Sequence, residues 1–405
     1  MNILLISKIF PPESTARAVQ IGKVVAALEK NGCQITVIAG QAHRIEKTPP
    51  IKDNIYYIPC WKISNSYRLH KRIYGKIRSE LETCWIYSNW ARKAILSGTN
   101  LLKSKKIDWL MSSSTPFESH IVGLKLKQIS KLPWLSSFSD PWPSSIVPIP
   151  HRRKAILGLN FIQLSLLKKV LVKCDYLHMP SIYGADLTAK ATGLNIKNKT
   201  KIIPHVGSDY QDIWDKSINT KGWLAHIGHL SRERASKELL FAIKKVKKII
   251  PNKFKGLLCV GKVCSEFQDY IKELRLFESV KIIGHVSSDD AMKLACSVTA
   301  LLLIEANMEI SPYLPSKFAD YAISKRPIIA ITPNRSAVRD YLNLYGDGLA
   351  IENKKEVIAR TIINLFLDHK TKLDGKKGNI VALSQQFRAD KIGSQYYEIF
   401  SKQNK

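Results

Sequence analysis

The sequence predicts an α/β protein with two doubly wound domains, and three features of the chain predict it. An apolar strand over 1–9, a helix over 16–30 and a strand over 34–39 form a βαβ unit, which implies a parallel sheet with a right-handed crossover. Strands and helices alternate again from position 107, and a further alternating series opens at 223. Such sheets bind ligands at the carboxyl ends of their strands, so we expect two Rossmann-like domains that face each other across a ligand-binding cleft.

The first helix illustrates how each element is assigned. Its apolar residues recur at helical spacing, and the helix stops at Asn31-Gly32, a favourable C-cap. Short apolar runs bounded by turn residues are assigned to strands. The further elements of the first half are strands over 107–112, 133–138, 176–179 and 201–203 and a helix over 116–130.

The segment 204–222 is polar and rich in turn residues, which predicts a domain boundary there. We therefore assign one domain to 1–205 and a second to 206–379, and we expect a terminal helix over about 380–405 to pack back on the first domain. The second domain has predicted strands over 223–227, 255–260, 280–283, 300–304 and 327–331 and helices over 236–250, 265–277, 288–296 and 316–324.

Charge is the unusual part of the composition. The 405 residues include 63 Lys and Arg against 33 Asp and Glu, a net charge of +30. Such a field favours anionic partners, namely nucleic acid, anionic lipid headgroups or phosphorylated substrates. The apolar fraction of 45% excludes a wholly disordered or fibrous protein. The seven cysteines are scattered without a CxxC pair, which predicts reduced thiols in a cytosolic protein rather than disulfides or a zinc site.

No signal peptide or membrane-spanning segment is predicted, because the N-terminus lacks a basic n-region and no window reaches about 18 uninterrupted apolar residues. Two segments nevertheless suit an anionic surface. The apolar run 155–172 has basic flanks and is either a buried helix or one that lies on a membrane. The stretch 62–106 mixes eleven Lys and Arg with aromatic residues, which fits a membrane interface, single-stranded nucleic acid, or a solvated helix pair with its aromatics in the core.

Candidate functional residues follow two predicted strands of the first half. The segment FPPESTAR at 10–17 lacks the GxGxxG of a dinucleotide-binding domain, which argues against a dehydrogenase, although its loop can offer N–H groups to a phosphate or sugar oxygen. In FSDPWP at 138–143, Asp140 could take a proton from a sugar hydroxyl or hold it, or it could cap a turn. His120, on the preceding helix, is by default a structural histidine.

Two further clusters lie in the second half. The segment IGHLSRER at 227–234 combines a glycine turn, a helix start and two arginines, as a diphosphate cradle would. In LPSKFADY at 314–321, Ser316 is the expected N-cap, and Lys317 lies in the first turn, against the preference set by the helix dipole. A cation in that position suggests a bound anion. Asp320 follows one turn later on the same side.

With these four clusters in order, the chain resembles the retaining family-4 glycosyltransferases of the GT-B fold, especially those of bacterial capsule, O-antigen and exopolysaccharide assembly. The resemblance covers nearly the whole chain. In the family's donor-site helix, an acidic residue seven positions before a proline holds the ribose, and Asp320 stands seven before Pro327 in place of the usual Glu. The resemblance is carried by FPPESTARAVQIGKVVAALEKNGCQITVIAG, SDPW, IGHLSRERASKELLFAI, IGHVSSDDAMKLA and PSKFADYAISKRPIIA.

Transferred position by position, the resemblance implies a nucleotide-sugar donor site on the second domain and an acceptor site on the first. Lys317 and Arg234 would contact the diphosphate, the backbone at 284–286 the base, and Asp140 falls where many relatives have a catalytic His; these imply Asp140, Arg234 and Lys317 as catalytic. The implied donor set is Gly228, His229, Arg234, Gly284, His285, Val286, Ser316, Lys317 and Asp320. The implied acceptor set is Pro12, Ser14, Thr15, Arg17, His120 and Trp142.

The chain departs from the family pattern at three places. The acidic residue usual eight positions before Asp320 is Pro312, for which Glu305 or Glu309 could substitute. His229 replaces a basic residue, and Ser14-Thr15-Ala16 replaces a Gly-Gly pair.

The resemblance implies transfer of a sugar, with retention, from a nucleotide-diphosphate sugar, expected to be UDP-linked, to a lipid-linked saccharide at the cytoplasmic face of the membrane. We expect no metal ion or other cofactor, since no DxD-like clamp is evident, and no nucleic acid partner. The basic first half would dock on the anionic inner membrane surface. Alternatives are a sugar-nucleotide epimerase on the same scaffold, a basic nucleic-acid-binding protein, and a donor-binding subunit without activity.

Overall fold

The chain forms two compact units in the computed structural model. The first unit consists of Met1–Val147, His151–Pro204 and Ile392–Lys405, and the second of Pro148–Pro150 and His205–Lys391. The residues that the structure describes are 1–13, 15–41, 54–60, 88–153, 159–208, 220–346, 348–367 and 377–402.

Seven strands form the sheet of the first unit. They are β1 (Asn2–Ser7), β2 (Gln34–Gln41), β3 (Ile55–Pro59), β4 (Trp109–Ser113), β5 (Trp134–Ser137), β6 (Tyr176–Met179) and β7 (Thr200–Ile202). All pair in parallel, in the order β3-β2-β1-β4-β5-β6-β7. The order reverses between β1 and β4, so the switch point of a doubly wound sheet lies at the carboxyl ends of these two strands.

Helices cover this sheet, and its strands are accordingly apolar. The helices are α1 (Ala16–Lys30), α2 (Asn89–Ser104), α3 (Glu118–Ser130), α4 (Asn160–Lys173), α5 (Ile182–Thr192) and, from the chain end, α13 (Ala389–Ser401). Thr15 caps α1 by accepting from the Ala18 N–H at 3.2 Å. The helix α13 packs closely on α1, because a Cβ on Gly393 would lie 2.6 Å from the Ala27 carbonyl oxygen.

The second unit repeats this plan with six main strands. They are β8 (Trp223–Ile227), β9 (Gly256–Val260), β10 (Val280–Gly284), β11 (Ala300–Ile304), β13 (Ile328–Ile331) and β15 (Gly348–Ile351). They pair in parallel in the order β10-β9-β8-β11-β13-β15, so the switch point lies between β8 and β11. A separate two-stranded ladder joins β12 (Ile310–Ser311) to β14 (Arg335–Ser336).

The helices of the second unit enclose an aliphatic core. They are α6 (Lys237–Ile249), α7 (Ser265–Glu273), α8 (Ser288–Ser297), α9 (Ser316–Ile323), α10 (Ala337–Tyr345), α11 (Lys355–Leu367) and α12 (Lys377–Gln386). The apolar stripe of α6, which includes Leu240 and Ile243, is fully buried against β8, β9 and β11. No helix among the described residues has the length and apolar character needed to cross a bilayer.

The predicted elements agree closely with the observed ones in both series, apart from the terminal helix and several elements that were not predicted. The terminal helix predicted over 380–405 is two helices, α12 and α13. The strands β3 and β15, the short ladder and the helices α5, α10 and α11 were not predicted. Of the two surface segments, 62–87 and 154–158 lie outside the described residues, while 88–106 and 160–173 contain α2 and α4. The six cysteines within the described chain form no disulfide.

Candidate functional site

Gly228 and Lys317 lie close together in the second unit. Gly228 follows β8 with φ +129°, and a Cβ built on it would lie 1.9 Å from Lys317 Nζ. Any other residue at 228 would therefore meet the lysine and would be strained in its backbone. The absent side chain is what allows the ammonium group to reach the end of β8, beside the switch point.

Lys317 lies in the first turn of α9, where the helix dipole is unfavourable for a cation. Burial and the charge of Arg234 lower the pKa of Lys317 to about 7, although Asp320 acts in the opposite direction. Arg234 ends a short 3-10 turn, Arg232–Arg234, and its Nε is buried without a hydrogen-bond partner among the described residues. Two cations thus converge at a helix start, an arrangement that suits a diphosphate.

The predicted N-cap of this helix is wrong by one residue. Pro315 occupies the N-cap position, with φ −60° and ψ 127°, and Ser316 is the first helical residue. Proline cannot supply a capping side chain, so the N–H groups of the first turn have no side-chain cap. Those N–H groups add to the local preference for an anion.

Asp320 is held by the segment that enters the second unit. Its Oδ1 accepts from the backbone N–H and from the hydroxyl of Ser208, both at 2.9 Å. The adjacent Tyr321 is fully buried and its hydroxyl accepts from the Ile227 N–H at 2.8 Å. These contacts fix α9 against the end of β8 and so set the position of Lys317.

Glu305 and Glu309 were the possible substitutes for the acid missing at Pro312. Of the two, Glu305, which follows β11, is buried. It is 6% exposed, and its carboxylate accepts from the hydroxyls of Ser311 at 2.6 Å, Ser336 at 2.5 Å, and Thr332. Burial raises the pKa of Glu305, against which the three hydroxyls and Arg234 act. Since both carboxylate oxygens of Glu305 accept hydrogen bonds within the protein, Glu305 stabilises the β12–β14 ladder. Glu309 is exposed.

The remaining donor-site positions follow neighbouring strands. Gly284 ends β10, and its carbonyl accepts from the Gly261 N–H at 2.6 Å, while the Gly228 N–H donates to the Val260 carbonyl at 2.6 Å. The loops after β8, β9 and β10 are thus hydrogen-bonded side by side. His229 and His285 are exposed, and Val286 is half-buried.

His226, on β8, is a buried residue that the sequence reasoning missed. Its Nδ1 lies 3.0 Å from the Leu302 carbonyl, so the proton is assigned to Nδ1. Burial, together with Lys317 and Arg234, holds the pKa of His226 well below its usual value. The available signal was a single histidine among the apolar residues of a predicted core strand, WLAHI at 223–227.

In the first unit, Arg17 and Asp140 lie at the carboxyl end of the sheet. Arg17, in the first turn of α1, donates through Nη2 to Ser113 Oγ at the end of β4. Burial lowers the pKa of Arg17 to about 10, against the favourable charges of Tyr396 and Asp140. Asp140 follows β5, is exposed, and accepts from Ser139 Oγ at 3.0 Å.

His120 is fully buried on α3, as its default structural interpretation predicts. Its Nδ1 lies 2.8 Å from Ser112 Oγ and 3.0 Å from Ser136 Oγ. Trp142 stacks on Phe117 with ring centres 3.7 Å apart. Of the other predicted acceptor residues, Pro12 and Thr15 are exposed on the loop before α1, and Ser14 lies outside the described residues.

The structure therefore brings together Gly228, Arg234, Lys317 and Asp320 in the second unit. In the first unit, Arg17 and Asp140 lie at the carboxyl end of the sheet, whereas His120 is buried between α3 and the sheet. Within the described parts of both units, no three His, Cys, Asp or Glu side chains are grouped as metal ligands would be.

Comparisons with known proteins identify the fold. No family model and no curated protein sequence matches the chain. Among solved structures, the Anabaena protein HepE in complex with UDP and glucose is 14% identical with a TM-score of 0.67, and covers 99% of this chain and 100% of its own. Sucrose-phosphate synthase from Thermosynechococcus elongatus is 14% identical with a TM-score of 0.71, over 99% and 98%.

A putative UDP-N-acetylglucosamine 2-epimerase from Listeria monocytogenes is 12% identical with a TM-score of 0.60, over 98% of this chain and 94% of its own. The predicted fold class is confirmed: this is an α/β chain of the GT-B fold with two Rossmann-like domains. At these identities, the comparisons establish the fold alone.

Proposed function

We propose that the protein is a glycosyltransferase whose donor is a nucleotide-diphosphate sugar, namely a UDP-linked sugar. The observation that carries the proposal is the Lys317 ammonium group in the space left by Gly228, at the switch point of the second sheet, with the charge of Arg234 acting on it. A pair of cations beside a free helix start provides charge stabilisation for a leaving diphosphate. HepE, which shares the fold, was solved with UDP and glucose.

The residues take distinct roles in the proposed reaction. Lys317 and Arg234 stabilise negative charge that develops on the diphosphate, Asp320 holds the ribose, and the backbone at 284–286 contacts the base. Asp140 holds or deprotonates the acceptor hydroxyl. The reaction retains the anomeric configuration, which the family resemblance implies, and it needs no metal ion, since the sequence has no DxD-like clamp.

The acceptor is a lipid-linked saccharide, and the pathway is the synthesis of capsule, O-antigen, lipopolysaccharide or exopolysaccharide. Support comes from α4, where Phe161 is 80% exposed and Val172 57% exposed on the same face as Lys168. Apolar and basic groups on one exposed helix face suit an anionic membrane interface. We therefore place the protein at the inner face of the cell membrane as a peripheral enzyme.

The test is a thermal-shift panel of nucleotide sugars on the wild-type chain and on Lys317→Met, Arg234→Met and Lys293→Met. A ligand that binds the native state raises the unfolding temperature by mass action, so the wild type and the Lys293→Met control are stabilised by one member of the panel. The two site variants lose that response, so their unfolding temperatures stay the same when the nucleotide sugar is added. An equal response in Lys317→Met would refute the site.

The fold likeness to the Listeria 2-epimerase supports a second candidate, a sugar-nucleotide epimerase. Incubation with the selected nucleotide sugar and no acceptor separates the two. An epimerase converts the sugar while the nucleotide stays attached, whereas a transferase releases at most free sugar and UDP. NMR spectra of the anomeric proton distinguish these products.

A further inference from the structure

We infer that Ser208 is a positioning residue of the nucleotide site, because it orients the Asp320 carboxylate for the hydroxyls of the donor ribose. The inference rests on the proposed function, in which Asp320 holds the ribose. It is carried by the contacts that the segment 205–208 makes with helix α9 and with Phe387. All of these residues belong to the second unit.

Ser208 places two donors on one oxygen of the carboxylate. Its backbone N–H and its hydroxyl both donate to Asp320 Oδ1, each at 2.9 Å. Hydrogen bonds to a charged oxygen are the strong ones, and an aspartate side chain has only two torsion angles, so this pair of bonds holds the carboxylate in one orientation. Ser208 and Asp320 are both half-buried, so neither is sealed from solvent.

Gly207 allows Ser208 to lie against the helix. It is buried, and a Cβ built on it would collide with Ile323 Cγ1 and lie 3.0 Å from the Ala319 carbonyl oxygen. These two residues lie on either side of Asp320 in the sequence of α9. Because Gly207 has no side chain, the segment packs directly on the helix beside the carboxylate.

A second anchor holds the segment without involving the donor-site residues. The Gly207 N–H donates to the Phe387 carbonyl at 2.8 Å. The Phe387 side chain is fully buried, edge-to-face on Phe318 with ring centres 5.4 Å apart, and 5.0 Å from the ring centre of Tyr341. Ser208 is therefore in place before a nucleotide binds, and the carboxylate that it holds is preorganised.

This preorganisation predicts a specific dependence on the ribose. A fixed carboxylate accepts from ribose hydroxyls without first losing torsional freedom, which lowers the cost of binding. Ser208 improves the contact with the hydroxyls and not the contact with the phosphate groups, which Lys317 and Arg234 make in the proposed function. Its contribution should therefore disappear when the ribose hydroxyls are removed from the ligand, whereas a residue that only stabilises the fold would affect both ligands alike.

The test measures the affinities of UDP and 2′,3′-dideoxy-UDP for the full chain by isothermal titration. We expect the wild type to bind UDP about tenfold more tightly, which is the effect of a hydrogen bond to a charged group. Equal affinities would overturn the inference without any variant and leave the phosphate contacts standing. Absence of UDP binding in the wild type would instead contradict the proposed donor site, and the inference with it.

Ser208→Ala, Ser208→Thr and the control Ser88→Ala then assign the preference to the hydroxyl. Ser88 is buried in the first unit and donates to Glu118 Oε1 at 2.5 Å, so its alanine variant also loses a hydrogen bond to a carboxylate. We expect Ser208→Ala to reduce the preference for UDP from about tenfold to about twofold, because only the backbone N–H still donates to Asp320. Its affinity for 2′,3′-dideoxy-UDP should stay nearly the same.

Ser208→Thr, which restores a hydroxyl, and Ser88→Ala should both keep the wild-type preference. A preference that is unchanged in Ser208→Ala, or lost in Ser88→Ala as well, would overturn the inference. So would a folded Ser208→Thr variant that behaves as Ser208→Ala does, since the hydroxyl would then not be the group responsible.

Discussion

At the residue scale, the donor site depends on Gly228 having no Cβ atom. We expect Gly228→Ala to weaken nucleotide-sugar binding at least tenfold, about 1.4 kcal/mol. The new Cβ would lie 1.9 Å from the present position of Lys317 Nζ and would therefore displace the ammonium group. The φ of +129° adds backbone strain for any residue with a side chain. Isothermal titration with the nucleotide sugar selected by the thermal-shift panel measures the change.

Gly193→Ala separates crowding from strain in this comparison. Gly193 has φ +69°, and a Cβ there would meet nothing within 4 Å. Both variants should lose folding stability, but Gly193→Ala should keep the wild-type affinity. If the two variants bound the nucleotide sugar equally well, the contact between Gly228 and Lys317 would not matter for the donor.

Lys317 also predicts a pH dependence of donor affinity. Its pKa is about 7 in the free protein, because burial and Arg234 disfavour the ammonium form. A bound diphosphate favours that form and raises the pKa. Below pH 7 the lysine is already protonated and affinity is constant, whereas above pH 7 binding must take up a proton and affinity falls by up to tenfold per pH unit.

Proton uptake can be measured directly by titrating the nucleotide sugar in buffers of different ionisation enthalpy. At pH 8 we expect uptake of nearly one proton per bound ligand, and at pH 6 almost none. The ester-linked diphosphate of a nucleotide sugar does not titrate in this range, so the proton is assigned to the protein. Lys317→Met should bind weakly and without uptake; wild-type uptake preserved in that variant would assign the proton to another group.

At the element scale, Glu305 connects β11 to the β12–β14 ladder. We expect Glu305→Gln to lower the free energy of unfolding by about 2–3 kcal/mol, because an amide replaces one of the two charged oxygens that accept from Ser311, Thr332 and Ser336. Urea denaturation followed by tryptophan fluorescence measures the loss. Glu309→Gln is the matched control, since Glu309 is exposed, and it should change stability by less than about 0.5 kcal/mol.

The elements that could be predicted from sequence are those with a clear period or a buried apolar run. Helix α1 has apolar residues at helical spacing and a glycine stop, and it occupies Ala16–Lys30 as predicted. The ladder of β12 and β14 has two residues in each strand, too few for any alternation to show. The N-cap of α9 was assigned to Ser316 from residue preference, whereas the chain turns into the helix at Pro315.

The candidate site was predictable residue by residue and not as an arrangement. Lys317 could be singled out because its position opposes the helix dipole. Nothing in the sequence could show that Gly228 makes room for it, since the two positions are far apart in the chain and meet only through the parallel pairing of β8 and β11. For the same reason, the hydroxyls that hold Glu305 could not be identified.

At the scale of the whole molecule, the net charge of +30 sets a testable requirement for the proposed membrane attachment. The basic and apolar face of α4 should bind vesicles that contain phosphatidylglycerol at low salt, and binding should weaken as salt screens the surface charge. Vesicles of phosphatidylcholine alone should not retain the protein. Sedimentation of protein with vesicles measures the bound fraction.

Charge reversal distinguishes a specific docking face from a general attraction. The triple variant Lys168→Glu, Lys169→Glu and Lys173→Glu alters α4, and its control, Lys244→Glu, Lys248→Glu and Lys253→Glu, alters exposed lysines of the second unit. Each changes the net charge by six, from +30 to +24. At about 1 kcal/mol per lysine, the α4 variant should bind anionic vesicles on the order of a hundredfold more weakly, and the control should bind nearly as the wild type does. Equal losses in both variants would mean that the overall charge, and not the α4 face, attracts the membrane.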